Sequence, residues 1–399
     1  MRVTMTLVAV LVSALWHGGR CHAQTGGLPG RLGAIGDSLT DEYAEESYSY
    51  AKNWTMMVVQ LRGGLGGIDM GPTAAAAGQA GGTWGEPRRT GFASNWARSG
   101  ADSTTALTQG QHTGLASQVG TGSTAVSHAV VAIGANDFSP TSDAYFNIYF
   151  GLWSSARVTT YVNDQIADIR TAVTTLRAAG AQVVLCNVVD FGIVPASRQF
   201  FTNANNRQRV TNAIARVNTG VEAIAREKGA VLVDLAAMGT RILGTHTALR
   251  PTLRVGNVDI QLLSRDTAAH TNPLAGFVDD GAHPHTAVQG AFANLMLTAL
   301  NVGWGTSFPM LGDQEILAAA GIAYGGSDTL DGQIGPYAAF VRSYVCPADY
   351  NDDGFLDGFD YDAFVADFEA GTPAADFNRD GFLDGFDYDD FVTAFELGC

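Results

Sequence analysis

Five short apolar segments, separated by amphipathic helical patterns, run through the chain between Arg31 and Gly305. They are RLGAI (31–35), FASNWA (92–97), AVVAI (129–133), QVVLCNVV (182–189) and VLVDL (231–235). Between Thr159 and Ala179, Val162, Ile166, Ile169, Val173 and Leu176 recur at three- and four-residue steps and form one apolar helix face. Further helices are expected at 47–61, at Arg209–Lys228 and at Val288–Asn301. Strands that are apolar on both faces must be buried on both, which means a parallel sheet with helices on each side. In such sheets ligands sit beyond the carboxyl ends of the strands.

Three stretches interrupt this rhythm. Gly63–Arg89 is rich in Gly and Ala and reads as a surface excursion. Phe138–Trp153 carries Tyr145, Phe146, Tyr149, Phe150 and Trp153, and fits either a flap over a substrate or a locally packed loop. Residues 306–345 hold a short helical piece at Asp313–Ala319 and several glycines, and read as a connector.

The N-terminus has the marks of a signal peptide. Arg2 is followed by an apolar run, Met5–Trp16, too short to span a bilayer, and then by small residues around Cys21-His-Ala23. No later segment reads as a transmembrane helix, so the expectation is an exported protein, secreted or held in the periplasm or at the cell surface. Cleavage after Ala23 leaves Cys186, Cys346 and Cys399. Cys186 sits in an apolar run and is expected as a buried thiol. Cys346 and Cys399 bracket the last segment, where a disulfide would contribute about 4 kcal/mol by loop closure.

The formal net charge of −16 is concentrated at the C-terminus, where 15 acidic residues from Cys346 onward face the single Arg379. That asymmetry argues against nucleic acid as a partner and points to cations in the tail.

Ser38 follows the first apolar segment through Gly36-Asp37, where a hydroxyl can be exposed at the sheet edge. A serine is a weak nucleophile until a base takes its proton. His283 can be that base, with Asp280 three residues upstream to orient its ring; Asp279 and His285 are neighbours in the same loop. Attack on an ester creates an oxyanion. The backbone N–H groups of Ser38 and Gly100 and the side-chain amide of Asn136 are candidate donors to it. Each fragment alone reads as an ordinary turn. The ordered set points to acyl transfer.

Gly36-Asp37-Ser38-Leu39, Asn95-Trp-Ala-Arg-Ser99-Gly100, Gly134-Ala-Asn136-Asp137 and Asp280-Gly-Ala-His283 resemble the four blocks of the GDSL (SGNH) hydrolases, in that family's order. The resemblance covers most of residues 31–300. It implies a three-layer α/β/α sandwich with a five-stranded parallel sheet, and ester hydrolysis through an acyl-enzyme with no metal in the chemistry. It makes Ser38, Gly100, Asn136 and His283 the signature positions and Asp280 the third member of the triad. The interval between the first two blocks is longer than in compact members, so no substrate contact is carried over.

The tail repeats itself. DYNDDGFLDGFDYDAF begins at Asp349 and DFNRDGFLDGFDYDDF at Asp376, 27 residues later. In the first copy Asp349, Asn351, Asp353, the carbonyl of Phe355 and Asp360 place oxygens at loop positions 1, 3, 5, 7 and 12, with Gly354 at the sharp turn. The second copy offers Asp376, Asn378, Asp380, Phe382 and Asp387, with Gly381 at its turn. Asp357 and Asp384, at position 9, are placed to act through water. Pro347, Gly371 and Pro373 break any helix entering these loops, so only exiting helices, through Phe364–Phe368 and Phe391–Phe395, are expected.

A duplicated loop-plus-one-helix unit resembles the dockerin modules of cellulosomal enzymes. Its Gly398-Cys399 end is similar to planctomycete-type dockerin-like tails. The resemblance implies two structural Ca²⁺ ions and a cohesin-like protein partner selected by positions 10 and 11, here Gly358-Phe359 and Gly385-Phe386.

The organisation read from the sequence is a signal peptide at 1–23, a hydrolase domain at 24–305, a connector at 306–345 and a small helical calcium-binding module at 346–399. The expected activity is that of an exported serine ester hydrolase acting on an acylated glycan or a lipid ester. The alternative is a catalytically silent hydrolase fold serving binding or adhesion. The intact triad and oxyanion residues count against it.

Overall fold

The structure, a computed structural model, describes residues 27–43, 48–64, 66–73, 91–351, 356–378 and 382–398. The expected signal peptide and most of the Gly/Ala-rich excursion lie outside these residues. The chain divides into two compact units, one of Ala23–Pro347 and one containing Ala348–Cys399. Among the described residues no helix is long and apolar enough to cross a membrane.

The larger unit is built on a five-stranded sheet. Strands β1 (Arg31–Gly36), β2 (Val126–Ala132), β3 (Gln182–Cys186) and β4 (Val231–Val233) run parallel in that order. Val341–Ser343 then pairs antiparallel with β4.

Alternation along each strand sorts the side chains into two cores, as a two-residue period requires. Leu32, Ala34, Val130, Val184, Cys186, Val231 and Val233 face a layer formed by helices Trp54–Arg62, Thr286–Trp304 and Asp313–Ala319. Ile35, Ala129, Val131, Val183, Leu185 and Leu232 face helices Ser155–Ala178 and Ala204–Lys228. The three-layer reading therefore holds, and so does the stripe on the long helix, where Val162, Ile169, Val173 and Leu176 are buried.

The sheet is not wholly parallel, and its fifth strand is not the expected one. FASNWA makes a single parallel bridge, Asn95 to Ala34. Its ladder begins well, with Ala34 N donating to Ser94 O at 3.0 Å and Trp96 N to Ala34 O at 2.8 Å. It cannot extend, because Leu32 N donates instead to Asp69 O at 2.8 Å, and Gly36 N to the side chain of Gln111 at 2.9 Å. The fifth strand comes from the segment read as a connector. Residues 306–345 belong to the larger unit, and Ile316, Leu317, Leu330 and Ile334 lie in its core.

Two more differences bear on the site. The helix expected from Ser47 starts at Trp54, after a turn at Tyr48–Tyr50, with the Asn53 side chain capping Met56 N. A three-stranded sheet, unforeseen from the sequence, joins Thr252–Val255, Val258–Arg265 and Ala275–Phe277, and delivers the chain into the DGAHP loop. Cys186 is a buried free thiol; Cys346 is disulfide-bonded, and Cys399 lies outside the described residues.

The smaller unit pairs its two repeats through equivalent residues. Phe364 stacks on Phe391 with ring centres 4.0 Å apart and planes 10° from parallel, and both rings are fully buried. Tyr361 and Tyr388 meet hydroxyl to hydroxyl. The flanking contacts are reciprocal: Phe368 lies 5.7 Å from Tyr388 and Phe395 5.9 Å from Tyr361. Neither 13-residue helix, Gly358–Ala370 or Gly385–Leu397, can bury its aromatic face alone, and the copies do so by pairing about a pseudo-two-fold axis.

Candidate active site

The site starts where β1 runs out. Asp37 N-caps a tight turn, its carbonyl accepting from Thr40 N and Asp41 N at 3.0 and 2.9 Å and its carboxylate from Leu39 N at 3.0 Å. Burial pushes the Asp37 carboxyl up to about 6, against the Leu39 N–H and the neighbouring His283, which pull it down. The buried Gln111 amide clamps both backbone groups of Gly36, accepting from N at 2.9 Å and donating to O at 3.0 Å. A side chain at Gly36 would stand 2.5 Å from Ala132 O, so only glycine lets β1 end against β2 here. These contacts hold Ser38 at the carboxyl end of the sheet.

His283 arrives from the other direction. The Ala275–Phe277 strand enters a closed loop in which Val278 N donates to His283 O at 2.9 Å and Gly281 N to Val278 O at 3.0 Å. Gly281 has φ +72°, a left-handed conformation that would strain any other residue. His283 Nε2 lies 2.6 Å from Ser38 Oγ, and His283 Nδ1 donates to Asp280 Oδ2. Asp280 Oδ1 accepts from Ala282 N at 2.7 Å and His283 N at 3.0 Å. Burial alone would raise the Asp280 carboxyl. The hydrogen bond and charge of His283, with the two backbone donors, hold it down at about 2. The neighbours go elsewhere: Asp279 accepts from Tyr50, and His285 accepts from Thr286 N and faces Asp266.

The oxyanion candidates are tied to the same turn. Arg98 N donates to Gly36 O at 3.0 Å and Ser99 N to Asp41 at 2.8 Å, which brings the Ser99-Gly100 segment against the Ser38 turn. Gly100 has φ +77° and nothing within 4 Å of where a Cβ would stand. Asn136 Nδ2 donates to Ala101 O at 3.0 Å, fixing its amide beside Gly100. Among the described residues, neither the Ser38 nor the Gly100 N–H has an acceptor. Behind Asn136, Asp137 is buried, accepting from Ser103 N at 2.9 Å and Ser103 Oγ at 3.1 Å. Burial pushes its carboxyl up to about 8, against the pull of the Ser103 N–H.

All five residues expected at the catalytic site thus come together. Several others that contact it were not expected. The Tyr48 ring lies 4.9 Å from the His283 ring and the Tyr43 ring 6.1 Å away, edge-on. Tyr43 OH donates to Pro284 O and accepts from Gln289. An aromatic pair in YAEESYSY is visible in the sequence, but its partners are more than 200 residues away. Phe138–Trp153 is a packed segment: it forms helix Asp143–Tyr149, whose Tyr145 and Tyr149 are buried. A small apolar cleft lined by Leu39, Phe191, Val194, Leu243, Phe277 and Phe292 flanks the Ser38 turn and the His283 loop.

In the smaller unit, Asp360 and Asp387 are fully buried. Asp360 accepts from Asn351 N at 3.1 Å and Asp357 N at 2.8 Å, and Asp387 from Asn378 N at 3.1 Å and Asp384 N at 2.9 Å. Asp357 and Asp384 are the N-caps of the exiting helices, through Phe359 N and Phe386 N. Asp353, Phe355 and Asp380 lie outside the described residues. Among the described residues no group of three or more His, Cys, Asp or Glu side chains is gathered closely enough to hold a metal.

A family model described as GDSL-like Lipase/Acylhydrolase matches residues 32–296. Among solved structures, the chain is similar to Axe2, an acetylxylan esterase from Geobacillus stearothermophilus, at 17% identity over 70% of this chain and 97% of that one, with a TM-score of 0.41. It is also similar to TesA, at 18% identity over 68% and 97% of the two chains, with a TM-score of 0.35. The esterase EstA from Pseudoalteromonas sp. is 14% identical over 68% and 96%, with a TM-score of 0.35. No curated protein sequence matches.

Proposed function

Because the chain belongs to the GDSL-like lipase/acylhydrolase family of ester-hydrolysing enzymes, we propose that Ser38 is its nucleophile, His283 its base and Asp280 the carboxylate that orients the base. Ser38 Oγ gives its proton to His283 Nε2 as it bonds to the ester carbonyl carbon. The developing oxyanion is met by the N–H groups of Ser38 and Gly100 and by the Asn136 amide. His283 returns the proton to the departing alkoxide, leaving an acyl-enzyme; it then takes a proton from the attacking water and gives it to Ser38 Oγ as the acyl bond breaks and the acid leaves. The observation that carries this reading is the unbroken hydrogen-bond chain Ser38–His283–Asp280. Ser38→Ala is expected to cut hydrolysis of short-chain nitrophenyl esters by about 10⁴-fold or more. Equal rates in variant and parent would instead favour the silent, binding-protein reading.

The substrate we propose is an acyl ester of a glycan or a lipid, with the apolar cleft beside Leu39 supporting an apolar acyl group. A screen of acetylated glycans beside esters of increasing chain length separates the two.

The acidic repeats are proposed as sites for two structural Ca²⁺ ions. Asp349, Asn351, Asp353, Phe355 and Asp360 would hold one, and Asp376, Asn378, Asp380, Phe382 and Asp387 the other. The donors are all oxygens, as Ca²⁺ requires, and the bound ion would neutralise each acidic loop. The buried, backbone-braced carboxylates of Asp360 and Asp387 support this reading. A cohesin-like partner is proposed for the same module. In its support, Phe359 and Phe386 stand at matching positions, 71% and 69% exposed. Export by the N-terminal segment completes the proposal.

A further inference from the structure

We propose that Tyr48 is a positioning residue of the triad, its hydroxyl sharing the carboxylate oxygen that holds the His283 ring and so lowering the basicity of His283. This rests on the catalytic reading of Ser38, His283 and Asp280. Asp280 Oδ1 is occupied by two backbone N–H groups, and those bonds set the loop. Oδ2 takes both His283 Nδ1–H and the Tyr48 hydroxyl, the latter at 3.0 Å. The oxygen that must stabilise the imidazolium is therefore divided between two donors.

A hydrogen bond donated to a carboxylate spreads its charge and weakens its pull on a neighbouring cation. It also fixes the direction in which the remaining lone pair points. Tyr48 thus trades some stabilisation of the imidazolium for a fixed ring and a weaker base. The Tyr48 ring lies 4.9 Å from the His283 ring and is tilted 35° to it.

The other groups around the pair do not duplicate this role. The Tyr43 hydroxyl is engaged by Pro284 O and Gln289. Asp37 lies in the Ser38 turn, where its carboxylate accepts from Leu39 N. Asp279 is paired with Tyr50. Arg265 packs its aliphatic stem by Gly281. Ser38 meets the opposite ring nitrogen. Among the described residues, Tyr48 alone donates to the Asp280 carboxylate from another part of the chain.

The test is Tyr48→Phe, which keeps the ring and removes the hydroxyl, read in two ways. In the Ser38→Ala background, an NMR titration of the His283 ring is expected to show its midpoint raised by about half to one pH unit. In the Ser38-containing enzyme, the acid limb of the kcat/KM profile is expected to move upward by the same amount, with Tm essentially unchanged. A His283 midpoint that stays in place or falls would overturn the proposal. Because the titration needs no turnover, an inactive parent enzyme would sink the catalytic reading without being mistaken for failure of this one.

Discussion

The two units bury their apolar groups in opposite ways. The larger one lays helices from distant parts of the chain on both faces of a sheet, and its core draws on residues from Leu32 to Val341. The smaller one packs a sequence against its own copy, Phe364 on Phe391 and Tyr361 on Tyr388. A long-range core can hold a site whose parts are hundreds of residues apart. A self-paired core of about fifty residues has little apolar area to spare and needs additional stabilisation. The proposed chemistry lies in the first unit, and ion-dependent folding is what we propose for the second.

That division can be broken experimentally. Chelation is expected to melt the smaller unit while esterase activity persists, read by two-stage calorimetry beside a nitrophenyl ester assay. Parallel loss of both signals would end the separation. Phe364→Ala removes half of the central stack and should cost about 3–5 kcal/mol, enough to unfold so small a unit. Retained cooperative melting of the tail would mean that the pairing contributes little. In the larger unit, Asn136→Ala should keep the fold and slow turnover by about 10²- to 10³-fold. A parental rate in the folded variant would remove that amide from the mechanism.

The smallest effect concerns Asp137. Its carboxyl is raised in the folded state, so its contribution to stability is full below the unfolded value, near 4, and is lost as pH climbs toward about 8. Asp137→Asn should therefore flatten the fall in Tm between pH 5 and pH 9, by a few degrees. Superimposable Tm profiles would show that the buried carboxyl is relieved in another way.

What could be read in the sequence followed from local signals. The strands β1 to β4, the stripe on Ser155–Ala178 and the four blocks around Ser38, Gly100, Asn136 and His283 are short patterns with their own periodicity or turn chemistry. What could not be read depends on competition or distance. FASNWA has the composition of a strand, but Asp69 and Gln111 take the hydrogen bonds that would extend its ladder. Val341–Ser343 is too short to announce itself. Tyr48 meets Asp280 across 232 positions, and nothing near Tyr48 in the sequence marks it as a partner of that carboxylate.

The proposed mechanism requires a uniquely activated Ser38 hydroxyl. Reaction with a fluorophosphonate ester, followed by peptide mass spectrometry, tests it most directly. A single stoichiometric adduct on Ser38 is expected, lost when His283 is replaced by Ala. An unlabelled Ser38 in folded protein, or an adduct on a different residue, would contradict it.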